Sequence, residues 1–173
     1  LGSAEHGAEG WEHASHYLLG DMFSAAMNYR FAWSMYGFMA YDKLSPSELD
    51  DRLQTWQRDT PGPAIRSQMN LIDSHDTLRA LTACMDDRQR FFQMVAFQCA
   101  YPGARMIYYG DEAGLQGDYA ESGRGTFPWD EIPAEFHDYY KRLIAYRRTS
   151  NALRHGETET VVVDDDARVY VFV

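Results

Sequence analysis

Two short apolar runs, each stopping at a knot of ionisable residues and separated by a helix, constrain this chain more than anything else in it. Residues 69–72 (MNLI) run into Asp73, Ser74, His75 and Asp76, and residues 104–109 (ARMIYY) run into Gly110, Asp111 and Glu112. Between them, residues 87–101 place Phe91, Met94, Val95 and Gln98 near one face, a helical spacing that Pro102 and Gly103 end. Each short apolar run reads as a buried strand. Strand, helix, strand in that order argues for parallel βα units. In parallel α/β folds, sites lie beyond the carboxyl ends of the strands, which is where both knots fall.

The flanking segments fit the same alternation. Residues 31–41 (FAWSMYGFMAY) are apolar nearly all round, as in a helix packed on several sides. Ser45, Pro46 and Glu48 compose a capping box with proline in the first turn, so a helix is expected from there to about Arg58, stopped by Pro61-Gly62-Pro63. Residues 133–148 form another amphipathic helix. Residues 160–163 and 168–173 alternate around Asp164-Asp165-Asp166, the pattern of a β-hairpin. Residues 1–10 are small and polar and read as a tail.

With 173 residues, 45% of them apolar and 14% aromatic, the chain can fill the core of one domain with a small appendage. Its net charge of -10, from 26 acidic and 16 basic residues, argues against nucleic acid and anionic membrane as partners, because both need clustered Lys and Arg. No run of 18 apolar residues occurs, so no membrane span is expected. Residues 1–10 lack a basic start followed by an apolar stretch, so they are not read as a signal peptide, and nothing assigns a compartment. Cys84 and Cys99 show neither CxxC nor Cys/His metal spacing and read as packing residues.

Three clusters can carry chemistry. Asp73, Ser74, His75, Asp76 and Thr77 put two carboxylates and an imidazole after an apolar strand, an arrangement that is costly unless solvated or paired. A plainer reading stands equally beside it: Asp76 or Thr77 caps a helix beginning near Leu78. Tyr108, Tyr109, Gly110, Asp111 and Glu112 set aromatic rings beside acids, which suits a sugar but equally suits half-buried packing. The loop of residues 122–130 carries Arg124 and Trp129 and says little alone.

Together these segments resemble family 13 of the glycoside hydrolases, the α-amylase family, in its neopullulanase and cyclomaltodextrinase branch. NLIDSHDTLRALT (residues 70–82) is similar to the family's fourth conserved region, PGARMIYYGDEAGLQG (residues 102–117) to the segment around the eighth barrel strand, and GRGTFPWDE (residues 123–131) to the loop after it. LLGDMFSAAMNYRF (residues 18–31) resembles the sixth-strand region, and YYKRLIAYRRTSNALRHGE (residues 139–157) the last barrel helix. The likeness implies an α/β fold, the C-terminal part of a (β/α)8 TIM barrel at about strands 6–8. Residues 1–10 would be a tail or a remnant of strand 5, residues 11–157 the barrel half, and residues 158–173 the start of a C-terminal β-domain.

The resemblance also implies the chemistry. Family members cleave α-glucosidic bonds in α-glucans and maltooligosaccharides with retention, using a nucleophilic carboxylate and an acid/base about 5 Å apart. A third carboxylate stabilises the distorted sugar. Asp76 matches that third carboxylate, and His75 the histidine that hydrogen-bonds sugar hydroxyls where cleavage occurs. Arg124 matches a loop arginine with a role in substrate binding or loop structure. Residues 8–15 (AEGWEHAS) align with the family's Gly-Glu-Ile-Trp-His-Asp-Ala stretch, which puts Glu9 on the acid/base, although residues 1–7 lack the apolar run of a fifth strand. No organic cofactor is implied; structural calcium occurs in some members, with ligands largely upstream.

The nucleophile is the gap. The family carries it in Arg-x-Asp after an apolar strand, and no such motif occurs here. A complete barrel takes about 250 residues, so a severed half is expected, whose exposed sheet edges invite self-association. Two readings therefore stand: part of an α-glucan hydrolase, or a catalytically incomplete carbohydrate-binding or structural piece of the same fold. An unrelated α/β interaction module accounts for the helices but not for five motifs in family order. Ser24 and Gly125 stand where relatives often carry Asp and a second Arg, changes that bear on substrate preference.

Overall fold

The computed structural model describes residues 16–119 and 121–173. Three short parallel strands, β1 (Met27–Asn28), β2 (Met69–Leu71) and β3 (Ala104–Met106), make one sheet in the order β1-β2-β3. Met27 lies opposite Met69, and Met69 opposite Ala104. Between β1 and β2 run α1 (Tyr29–Met35), α2 (Pro46–Asp59) and the single turn α3 (Gly62–Ile65). Between β2 and β3 run α4 (Ala80–Ala83) and α5 (Arg88–Ala100). After β3 come α6 (Ala134–Thr149), α7 (Asn151–His155) and an antiparallel hairpin, β4 (Thr160–Asp164) and β5 (Val169–Phe172). The parallel βα order expected from the sequence is therefore the order the chain adopts.

Helix starts follow local chemistry. Ser45 accepts from the Glu48 amide at 3.2 Å while Glu48 accepts from the Ser45 amide at 2.8 Å, the reciprocal box written in the sequence. Asp87 caps α5 by accepting from the Gln89 and Arg90 amides. The apolar stretch after β1 starts two residues earlier than its pattern suggests, because Asn28 accepts from the Phe31 amide at 3.1 Å. It then widens into a π turn over Tyr36–Ala40.

Both apolar runs pair for only three residues, ending at Leu71 and Met106. There the buried Gln98 side chain donates to the carbonyls of Asn70 and Met106, bridging the strands from α5. The hairpin turn sits slightly later than the three aspartates: Asp164 still pairs with Val169, and its carboxylate accepts from the Ala167 amide. Tyr170 and Phe172 point from β5 onto Phe97, at 6.1 and 4.8 Å between ring centroids.

The core lies between sheet and helices and is largely aromatic. Phe31, Trp56, Phe91, Phe97, Tyr101, Phe136 and Tyr140 all belong to it. Both cysteines are free and buried there, and burial pushes the Cys84 thiol up to about 12, so it stays a packing group. Among the described residues no helix is long and apolar enough to cross a membrane. The outer edges of β1 and β3 carry no further strand among the described residues.

Phe91 is 0% exposed and touches the rings of Phe92, Phe136 and Tyr140. Phe91→Ala should lower unfolding free energy by about 3–5 kcal/mol in urea titration. Tyr146→Ala, at a position 64% exposed, should change it by less than about 0.5 kcal/mol.

Candidate active site

The carboxyl ends of all three parallel strands meet at one place. Past β2 the chain makes a tight turn in which the Thr77 amide donates to the Ser74 carbonyl at 3.2 Å, leaving His75 and Asp76 at the corner. The Ser74 hydroxyl accepts from the Asp76 amide at 3.1 Å, and the Thr77 hydroxyl accepts from the Ser74 amide at 2.9 Å. The turn thus presents both side chains to solvent, His75 at 55% and Asp76 at 60% exposure, with Nε2 and Oδ2 3.3 Å apart.

Tyr29, the first residue past β1, reaches across to this turn. Its hydroxyl lies 3.1 Å from the Ser74 hydroxyl and donates to Asp76 Oδ2 at 3.5 Å. Its ring stacks on Trp33, centroids 6.4 Å apart. From the loop after β3, Arg124 Nη2 donates to the His75 carbonyl at 3.1 Å. The Tyr109 hydroxyl ties the same loop by donating to the Gly125 carbonyl at 2.8 Å. Arg124 therefore braces the turn through its backbone.

Neither Asp76 nor Thr77 caps a helix. The next helix, α4, begins at Ala80, and its first amide donates to Asp73 Oδ2 at 2.9 Å. Thr77 cannot cap because its hydroxyl is spent inside the Ser74 turn. Of the two carboxylates in the first knot, Asp73 goes inward at 0% exposure and Asp76 outward.

Beneath the turn lies a buried ionic cluster. Arg79, 1% exposed, donates to the Tyr109 carbonyl at 2.6 Å and the Gly123 carbonyl at 3.0 Å. It lies 3.4 Å from Asp111 Oδ1 and covers the Tyr108 ring at 4.0 Å. Asp73 Oδ1 and Asp111 Oδ2 are buried with no hydrogen-bond partner, and each carboxyl influences the other's ionisation, so a single proton held between the two would satisfy both. Burial pushes Asp73 up to about 6, against the lowering influence of Asp111 and the Ala80 amide. Burial, and then the Asp73 charge, push Asp111 well above the usual carboxylate range, so Asp111 is the partner that holds the proton.

Among the described residues no group of three or more His, Cys, Asp or Glu comes together as a metal site. Glu9 lies outside the described residues. In the loop beyond Arg124, Trp129 is 79% exposed and sits 4.6 Å from the Phe127 ring.

The family model described as alpha amylase, catalytic domain, matches residues 3–130. A cyclomaltodextrinase of Geobacillus thermopakistaniensis is 36% identical over 164 residues, 94% of this chain and 28% of that protein. Neopullulanase 2 of Thermoactinomyces vulgaris is 35% identical over 165 residues, again 94% of this chain and 28% of the relative. The solved structure of a cyclic α-maltosyl-(1→6)-maltose hydrolase from Arthrobacter globiformis superposes with a TM-score of 0.83 at 33% identity, over 87% of this chain and 35% of that one. The chain belongs to the α-amylase family of glycoside hydrolases, family 13, and is neopullulanase-like. It spans 28% of the length of each of these two curated relatives and less of some others, 10% of an amylopullulanase of Thermoanaerobacterium thermosulfurigenes.

Sequence reasoning missed Tyr29 and Arg79 as site components, and it singled out Asp73 without separating its part from that of Asp76. Arg79 stood inside the motif of residues 70–82, where its nearness to an acid knot was the available signal. Tyr29 gave none, since it meets Asp76 across 47 positions of chain.

A pH dependence follows from the cluster. The unfolded chain releases the Asp73 proton at about the ordinary 3.8, whereas the folded chain keeps it to about 6. The folded state thus binds more protons in that window, and the contribution to stability, full below the ordinary value, is lost as pH rises through about 6. Thermal midpoints measured across this range should fall in the wild-type chain. They should fall less in Asp73→Asn, whose amide does not titrate.

Proposed function

We propose that β1, β2 and β3 are the sixth to eighth strands of an eight-stranded α-amylase barrel, with residues 11–157 as its C-terminal half. Residues 158–173, which carry the hairpin, would then begin a C-terminal β-domain, and residues 1–10 would be a tail or remnant of strand 5. The activity is retaining hydrolysis of α-glucosidic bonds in maltooligosaccharides and related α-glucans. The observation that carries this reading is the His75–Asp76 pair, held out at the strand ends by its own turn and reached from β1 by Tyr29 and from the β3 loop by Arg124.

In this reading Asp76 is the carboxylate that stabilises the distorted sugar and His75 donates to its hydroxyls. Arg124 sets the height of the turn. Glu9 protonates the leaving oxygen and then activates water. The nucleophile comes from an Arg-x-Asp strand end that this sequence does not carry. Relatives that match the chain include a cyclomaltodextrinase and a hydrolase solved with maltose, which supports an α-glucan as substrate. No organic cofactor is required, and any calcium would sit on residues upstream. The edges of β1 and β3, which carry no further strand among the described residues, fit self-association, which sedimentation at rising concentration would show as growth in mass.

A second reading, sugar binding without cleavage, is favoured by the absent nucleophile motif. The experiment is sugar release from maltotriose, cyclodextrin and pullulan by the folded chain, beside maltoheptaose binding. Binding should weaken about tenfold in His75→Ala, the size of one lost hydrogen bond. Release that disappears in Asp76→Asn supports the hydrolase in full. Binding without release sides with the second reading, and a folded chain that neither binds nor cleaves overturns both.

A further inference from the structure

We infer that Arg79, with the proton-sharing pair Asp73 and Asp111, is a positioning latch that clamps the His75–Asp76 turn to the loop of residues 117–125 and lets go when the shared proton leaves. The inference goes beyond the hydrolase reading and concerns how the turn is held, whatever it binds.

The clamp is visible bond by bond. From the turn side, the Arg79 amide donates to the Gly117 carbonyl at 2.9 Å and its Nε to the Gly123 carbonyl at 3.0 Å. From the loop side, the Gly117 amide donates to the Thr82 hydroxyl at 2.8 Å and Arg124 to the His75 carbonyl at 3.1 Å. The loop is drawn tight at these points. Gly117 sits at φ +157°, and a Cβ there would lie 2.3 Å from the Ser122 carbonyl oxygen; at Gly123 it would lie 2.5 Å from that of Asp118. Two segments from different strand ends are therefore joined through one guanidinium and its neighbours.

Charge makes the clamp conditional. With one proton between the two carboxyls, the cluster holds one negative and one positive charge and is neutral where water does not reach. The titratable groups facing the pair are Tyr36 from the π turn, Tyr140 from α6, and Tyr108 and Glu112 beside β3. Apart from Arg79 none of them carries positive charge. The Tyr36 hydroxyl is committed to the Leu78 carbonyl at 2.6 Å, while Tyr140 Oη and Arg79 Nη2 are buried without partners. Loss of the proton sets two carboxylates against one guanidinium, with no second cation facing them among the described residues.

The test is amide hydrogen exchange of the whole chain from about pH 5 to about pH 10, corrected for the intrinsic rate and read on peptides covering residues 73–79 and 115–125. We expect protection there to drop at least about tenfold toward the alkaline end of that range, where Asp111 gives up its proton, above the value of about 6 that belongs to Asp73, while α5 and α6 hold theirs. Asp111→Asn keeps a donor that cannot ionise and should hold protection across the range. Arg79→Lys, which cannot reach both carbonyls, should open the loop at every pH with α5 intact. A flat wild-type profile, a loss shared equally by α5, or an Asp111→Asn chain that opens as the wild type does would each overturn the latch. No sugar enters the measurement, so its failure is separate from failure of the hydrolase reading.

Discussion

A guanidinium does not shed its charge, so burying one dictates what surrounds it. Arg79 is 1% exposed, and its partners come from the Tyr109 carbonyl, the Gly123 carbonyl, the Asp111 carboxylate and the Tyr108 ring face. Those groups belong to the end of β3 and to a loop with little regular structure of its own. The loop lies where it does because its carbonyls are needed there. Asp73 adds a second acid, which one cation does not balance, and the two carboxyls meet the excess by holding a proton between them. The exposed turn carrying His75 and Asp76 rests on this cluster.

The opposite end of β3 solves a similar problem with different materials. Arg147 on α6 is 7% exposed and donates to the carbonyls of Cys99, Tyr101 and Gly103, closing the last turn of α5 and the entry to the strand. Gly103 is required there: at φ +126°, a Cβ would sit 2.6 Å from the Asn70 amide nitrogen. The hydrogen bonds given to Arg147 among the described residues all end on neutral carbonyls. The two buried arginines thus mark the difference between the faces of the sheet. The amino end is sealed by dipoles, and the carboxyl end is poised by ionisable groups, as expected where stability and chemistry are divided between the ends of a parallel barrel.

What was legible in the sequence was local. The Ser45 box closes over three residues and Asp87 caps over two or three, so both are written in consecutive letters. The knots after the two apolar runs marked the strand ends where the turn and the cluster now lie. β1 was not legible from periodicity, because two residues are too few to show a period; the likeness of residues 18–31 to a sixth-strand region pointed to it. The division of labour between Asp73 and Asp76 was hidden because it depends on which way a turn faces. The helix-cap reading failed for a similar reason, since the Thr77 hydroxyl was already spent on Ser74. The pairing of Asp73 with Asp111, and of Tyr29 with Asp76, joins different strand ends and appears only once the sheet is formed.

In the proposed hydrolase reading, the exposure of the His75–Asp76 pair bears on what the turn would contribute to catalysis. A carboxylate that stabilises a cationic sugar acts most strongly where water is excluded, since Coulombic attraction rises as the local dielectric falls. Asp76 is 60% exposed and its one partner from another strand end, the Tyr29 hydroxyl, stands at 3.5 Å. The turn supplies direction: two backbone-anchored side chains with fixed spacing, braced by Arg124 from below. Dryness must come from what closes over them, either the remaining wall of a barrel or the sugar itself laid against the stacked rings of Tyr29 and Trp33. On that reading orientation and desolvation are separable, and the turn would supply the first of them.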